Sequence, residues 1–204
     1  GNDTYRFNGL SSVSSIVEIA GQGFDAADVS SSSQGINIDL SQLPDASIEQ
    51  VIGSDFDDTT TTNHFTQVLQ GGLGNDTYRF SPLSVQSQAV GIVENPSQGT
   101  DTADYSNLLS AVDIDLRRFP EVENLIGTDF EDRLIGNAQD NQILGGLGGD
   151  YIEGREGTDD LQGQQGTDIY NVIPGEELDV TDVITDEGTS IVLPEVDNDG
   201  DGLL

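Results

Sequence analysis

Aspartate falls on a beat of nine in this 204-residue chain: Asp150, Asp159 and Asp168 follow one another at that interval, and Asp132 and Asn141 stand in phase ahead of them. A shorter run, Asp58, Gln67 and Asp76, keeps the same interval. Side-chain oxygens on a regular beat, in a chain with no cysteine and a single histidine, are suited to hard cations and unsuited to thiolate or imidazole metal sites. Without a cation, carboxylates held close together oppose folding by about 1 kcal/mol per pair in water, and by more where water is excluded. A divalent cation between them reverses the sign. Calcium accepts an irregular cage of about six to eight oxygens and suits bent loops better than magnesium, which demands a stricter octahedron.

A repeated turn and strand must position these residues. Cut in nines from Gly127, the chain reads GTDFEDRLI, GNAQDNQIL, GGLGGDYIE, GREGTDDLQ and GQQGTDIYN. The sixth places hold the oxygen donors, and the eighth hold Leu134, Ile143, Ile152, Leu161 and Tyr170. The glycine-rich first half of a unit suits a tight bend with positive backbone torsions, and the alternating second half suits a short strand. From Gly53 the shorter block reads GSDFDDTTT, TNHFTQVLQ and GGLGNDTYR, with a degenerate middle unit and with threonines from Thr59 to Thr62 in place of the expected apolar pattern.

A longer period overlies the short one. GNDTYRF opens the chain and returns at Gly74, and GTDIYNV follows at Gly166. IVEIAGQGFDAADVS from Ile16 is echoed by IVENPSQGTDTADYS from Ile92, and VIGSDFDD from Val51 by LIGTDFED from Leu125. The second interval exceeds the first by two nonapeptides and one residue, so the unit of growth is a pair of nonapeptides. A pair is one coil of a flattened parallel solenoid: two strands face each other, two turns close the edges, and coils stack about 4.8 Å apart. Asp132, Asp150 and Asp168 then share one edge, and Asn141 and Asp159 share the other.

Composition narrows the partners. Thirty-eight acidic residues against six basic ones, all arginine, give a formal charge of −32, which disfavours nucleic acid and anionic membrane. No apolar run reaches the roughly 20 residues of a membrane helix, so no membrane insertion is expected. Self-repulsion on this scale calls for disorder, high salt or bound cations. A salt-adapted acidic domain without specific ions would leave the nine-residue register unexplained.

GGLGGDYIE matches the pattern G-G-x-G-x-D-x-U-x in full, and GGLGNDTYR does so with Tyr78 in the apolar place. These blocks resemble the RTX (repeats-in-toxin, haemolysin-type) calcium-binding β-roll of large secreted bacterial proteins, and the stretches DTADYSN, VDIDL and VENLIGTDFEDRLIGN resemble its spacers. The resemblance covers roughly residues 1–171. It implies an all-β parallel solenoid with several calcium ions stacked between turns and with spacer strands continuing or flanking it. It also implies secretion, usually by a type I exporter, and folding on calcium outside the cell. Carried over by position, Asp132, Asp150 and Asp168 are implied ligands on one edge, Asp159 with Asn141 on the other, and Asp58 with Asp76 in the shorter block. Turn carbonyls, among them those of Gly145, Gly146, Gly148, Gly154, Gly157, Gly163 and Gly166, are implied to complete the sites. Sites that involve the uncharged Asn141 or Gln67 should be weaker or empty.

The expected organisation is a spacer over residues 1–52 that starts inside a repeat, the short block 53–79, a second spacer 80–126, the main block 127–171, and capping or next-spacer strands over 172–204. Because Gly1 aligns with the fourth residue of a nonapeptide, the chain reads as a piece of a longer array. Its end, DNDGDGLL, puts Asp197, Asp199 and Asp201 at alternate places, as in the first half of an EF-hand loop or a thrombospondin type 3 repeat, so these three are further candidate calcium ligands.

Nothing in the chain reads as catalytic. GGLGGD lacks the following helix of a phosphate loop. Adjacent acids such as Asp57 and Asp58 or Asp159 and Asp160 point to opposite faces of a strand. His64 has no serine or cysteine partner nearby. Tyr5, Tyr78 and Tyr170 read as core rather than as sugar-stacking rings, and Glu18 and Glu94, in equivalent IVE triplets, as solvated strand residues more than as ligands. The leading expectation is an extracellular or cell-surface calcium-binding structural module of a surface layer, filament or adhesin-like protein, in which self-association in an array and contact with surface polysaccharide are natural partners. The alternatives are an accessory module of a secreted protease, lipase or polysaccharide epimerase, and a sugar- or ice-binding solenoid face.

Overall fold

The computed structural model describes residues 1–7, 12–13, 23–43, 47–66, 68–82, 90–96, 98–171, 183–186 and 189–193. The chain divides into two units, Gly1–Leu108 and Leu109–Leu204, and both are parallel β-solenoids. Their strands are short because each turn is followed by only one alternation of inward and outward side chains before the next bend.

In the first unit, β1 (Thr4–Arg6), β3 (Ala26–Asp28), β5 (Gln50–Ile52), β7 (Val68–Gln70) and β9 (Gly91–Val93) line up in that order as one parallel sheet. The intervening β2 (Ser12–Val13), β4 (Asn37–Asp39), β6 (Thr59–Thr61), β8 (Thr77–Arg79) and β10 (Thr102–Asp104) form the facing one. In the second unit, β11 (Asp113–Asp115), β13 (Arg133–Ile135), β15 (Tyr151–Glu153), β17 (Thr167–Asn171) and β19 (Thr189–Leu193) make one sheet. There β12 (Asn124–Ile126), β14 (Gln142–Leu147), β16 (Asp160–Gln165) and β18 (Val183–Asp186) make the other. Helix is confined, among the described residues, to two single 3-10 turns, Leu40–Gln42 and Leu116–Arg118. Each is capped by the preceding aspartate: Asp39 accepts from the Ser41 N–H and Asp115 from the Arg117 N–H, both at 3.0 Å.

Within the repeat blocks a coil takes 18 residues, so Thr60 lies beside Tyr78, Val51 beside Leu69, Leu134 beside Ile152 and Ile143 beside Leu161. The spacers continue the same sheets with longer coils. Thr4 pairs with Ala26, Ala26 with Gln50 and Thr77 with Thr102. Residues 183–186 and 189–193 add parallel strands against β16 and β17.

The repeating element of the core is the eighth place of each unit and its spacer equivalents, joined by further buried side chains such as Leu40, Ile48, Leu116 and the stacked rings of Phe80 and Tyr105. Ala27, Ile38, Leu69 and Ala103 in the first unit, and Leu125, Leu134, Ile143, Ile152 and Tyr170 in the second, are fully enclosed. Each larger one contributes about 1.5–3 kcal/mol of apolar burial. The two weak units of the short block keep this rule. Thr60 takes the core place of the threonine run and is buried, and the degenerate TNHFTQVLQ supplies β7 with Leu69 wholly enclosed. A strand here needs an inward side chain at the eighth place and does not need the glycines. Tyr78 and Tyr170 are core residues, Tyr5 is half-buried and His64 is exposed.

Candidate metal centre

The sixth-place carboxylates form ladders that run from coil to coil. The Asp132 N–H donates to Oδ1 of Asp150 and the Asp150 N–H to Oδ1 of Asp168, both at 2.9 Å, and the Asn141 N–H donates to Asp159 at 2.8 Å. In the first unit the Asp58 N–H donates to Asp76 at 2.7 Å, and the Asp76 N–H to Asp101 at 2.8 Å. The spacers hold a ladder that the sequence reading missed. There the Asp3 N–H donates to Asp25 at 2.7 Å, and the Asp25 N–H to Glu49 at 2.8 Å. Its signal lay in the echo of FDAADVS by TDTADYS, which makes Asp25 the counterpart of Asp101.

An outer ladder runs the opposite way through the fifth places. Asp57 accepts from the Asn75 N–H, Asn75 from the Thr100 N–H and Asp140 from the Thr158 N–H, each at 2.8 Å. The adjacent acids Asp57 and Asp58 thus divide their work: the exposed one clamps the next coil outside, and the buried one clamps the previous coil inside.

Two kinds of turn carry these aspartates. In the first kind the second residue is serine, threonine or asparagine. Its side chain accepts from the fourth N–H: Ser54 from Phe56 at 3.2 Å, Thr128 from Phe130 at 3.0 Å, Asn137 from Gln139 at 2.9 Å. Its own N–H then donates to the remaining sixth-place oxygen, from Ser54 to Asp58 Oδ2 and from Thr128 to Asp132 Oδ2 at 2.5 Å, and from Asn137 to Asn141 Oδ1 at 2.8 Å. This turn is closed on itself, with every sixth-place oxygen satisfied.

In the second kind the second and fourth residues take positive φ. Gly72 and Gly74 have φ of 116° and 102°, and Gly146 and Gly148 have 117° and 112°. Gly157 and Gly166 hold the fourth place of the last two units in the same sense, while Arg155 (79°) and Gln164 (69°) hold the second. The backbone is turned so that the second N–H no longer reaches the carboxylate. Asp76 Oδ2 and Asp150 Oδ2 are buried and have no hydrogen-bond partner. These are the two units that carry the full GGxGxD pattern. Asp25 Oδ2 is in the same state.

The first glycine of a unit leaves room for that oxygen. A Cβ at Gly145 would land on Asp150 Oδ2, and one at Gly154 or Gly163 on Asp159 or Asp168. Hence glycine and aspartate keep one beat.

Burial dominates the electrostatics. It pushes the Asp76 carboxyl up to about 8, with the charges of Asp101, Asp58 and Glu94 adding to it against the Asp58 hydrogen bond. Asp150 is pushed up to about 7 by burial and by Asp132, Asp168 and Glu131, against the Asp132 hydrogen bond. Burial also raises Asp132, where two N–H groups and the Thr128 hydroxyl pull the other way. Among the described residues no three His, Cys, Asp or Glu side chains converge on one point. A cation here would therefore draw on turn carbonyls as well as on the orphaned carboxylate oxygens, and an all-oxygen donor set of that kind fits calcium. Asp197, Asp199 and Asp201, like Gln67 and Glu18, lie outside the described residues. No family model and no curated protein matches the chain.

Proposed function

We infer that this chain is an extracellular calcium-binding structural module that folds on calcium after secretion, as part of a surface-layer, filament or adhesin-like protein. The observation that carries the reading is the contrast between turns. Closed turns satisfy the sixth-place oxygen from within, whereas the two full-pattern glycine turns bury Oδ2 of Asp76 and Asp150 without a partner. A buried carboxylate oxygen left in that state costs about 1–3 kcal/mol or more. It is tolerated where a ligand supplies the missing contact. Calcium would be held by Asp76 in the short block and by Asp150, Asp159 and Asp168 in the main one, whereas the Asp132 oxygens are taken up by the Thr128 N–H, the Thr128 hydroxyl and the Val112 N–H. The ion supplies positive charge between stacked carboxylates, and the chain supplies the spacing. The RTX-like repeat agrees with this reading, and a net charge of −32 on so thin a core gives cation binding a large share of the folding energy.

A sugar- or ice-binding face has less support: Thr60, Thr61 and Thr62 are buried, and Thr59, Thr77 and Thr102, in register on neighbouring strands, make only a short, half-buried row. Circular dichroism during a calcium titration, with magnesium as control, tests the main reading. A gain of β signal is expected with calcium. No gain below about 10 mM calcium, or an equal response to magnesium, overturns it.

A further inference from the structure

We propose that Glu94, Asp76 and Tyr78 form a distinct cation site at the end of the short block, built mainly from side chains where the other sites lean on turn carbonyls. The proposal rests on the calcium reading of the solenoid and adds a residue that the repeat pattern does not contain.

Glu94 directly follows β9, in the first coil beyond the nonapeptides. In an ordinary coil the first N–H of a unit donates to a main-chain carbonyl of the next coil, as Gly53 does to Gln70 at 2.7 Å and Gly127 to Leu144 at 2.8 Å. At Gly71 the acceptor is Oε1 of Glu94 instead, at 2.9 Å and 23 residues along the chain. A carboxylate has thus been brought over the Gly71 Cα.

The comparison with the main block shows what this displaces. Tyr170 stands to Gly163 as Tyr78 stands to Gly71, and its hydroxyl accepts the Gly163 N–H at 2.6 Å. With the Gly71 N–H given to Glu94, the Tyr78 hydroxyl is buried with no hydrogen-bond partner, and so is Asp76 Oδ2 beside it. A Cβ at Gly71 would run into Asp76 Oδ2, Tyr78 Oη and Glu94 Oε1 together, so the three oxygens ring one glycine Cα. Two carboxylates and a neutral phenol make an all-oxygen set of charge −2, which matches a hard divalent cation of calcium's size.

The test compares wild type with Glu94→Gln, which keeps an acceptor for the Gly71 N–H, with Tyr78→Phe, and with Asp150→Asn as the main-block control. Calcium stoichiometry and affinity are read by calorimetry, and terbium occupancy by luminescence excited through tyrosine. Glu94→Gln is expected to remove one calcium or weaken one site by about tenfold or more. Tyr78→Phe is expected to remove a discrete fraction of the sensitised emission, and Asp150→Asn to leave that fraction in place. If Glu94→Gln binds calcium as wild type does, or if Tyr78→Phe leaves the emission unchanged, the site is overturned while the calcium reading of Asp150 stands. A wild-type chain that takes up neither ion overturns both. Should Glu94→Gln fail to fold, Tyr78→Phe, which removes only a hydroxyl, decides alone.

Discussion

The closed turn at 127–132 and the glycine turn at 145–150 lie one coil apart on the same edge and present the same aspartate, yet they solve the same problem by opposite means. Asp132 takes its hydrogen bonds from the Thr128 N–H, the Thr128 hydroxyl and the Val112 N–H, so its turn is complete without any ligand. Asp150 takes one, from the Asp132 N–H, and buries its other oxygen bare. A threonine in second place makes a self-sufficient bend, whereas a glycine with φ of 117° makes one that waits for a cation. In both units the closed turn comes first, at 53–58 and at 127–132, and gives the glycine turns a formed coil to stack on.

Substitution at the two aspartates should separate them most sharply. Asp132→Ala leaves buried N–H groups without acceptors and should cost about 2–4 kcal/mol whether or not calcium is present. Asp150→Ala should cost as much only when calcium is saturating, and far less in chelator. Urea unfolding with and without calcium measures both, and equal calcium dependence would erase the distinction between the turns. By the same logic Asp150→Ala should reduce calcium affinity more than Asn141→Ala, since Asn141 already has partners for its side chain in Asn137 and Glu123.

Acidity should act next. Asp76 and Asp150 have folded-state values raised to about 8 and about 7, so the cation-free fold holds protons that the unfolded chain has released. The contribution of these two groups to its stability is therefore fully present below the ordinary aspartate value near 4 and is lost as pH rises toward 7–8. Cation-free protein should show more β signal at pH 5 than at pH 9, calcium should reverse that order, and calcium binding near pH 7 should release protons. A cation-free fold that strengthens with rising pH contradicts the bare carboxylates.

Backbone changes should come after that. Gly146→Ala places a Cβ at positive φ against the Thr128 carbonyl and should cost about 1–3 kcal/mol with or without calcium. Gln164→Gly, which relieves a non-glycine residue at φ 69°, should gain at most about 1 kcal/mol, visible as a small rise in melting temperature.

The fold was legible in the sequence because the core repeats. Leu134, Ile152 and Tyr170, one per coil, announce both the strand and the 18-residue register, and even Thr60 keeps its place. The two kinds of turn were legible only in part: GTDFEDRLI and GSDFDDTTT lack the second and fourth glycines, as an entry coil would, but what that does to the aspartate depends on where one N–H points. Thr128 stands where the full pattern has the glycine of Gly146, and only geometry shows that the first closes on the aspartate and the second does not. Arg155 and Gln164 were hidden because they adopt a glycine conformation without being glycine. Glu94 reads as a solvated strand residue until the fold carries it across a longer coil to the Gly71 N–H.

The inner and outer ladders, which accept in opposite directions between the same pair of coils, bear on how the molecule would yield under tension. The two Asp58 to Asp76 and Asn75 to Asp57 bonds cross a single coil boundary, so a pull on one terminus loads one boundary at a time. Extension should then proceed as a staircase, each step releasing one coil, 18 residues or about 60 Å of chain within the repeat blocks and more in the spacers, while the coils behind it remain intact. With a cation at a glycine turn, that boundary becomes a tall step among low ones, and the array behaves as a graded tether whose stiffness the surrounding calcium concentration sets.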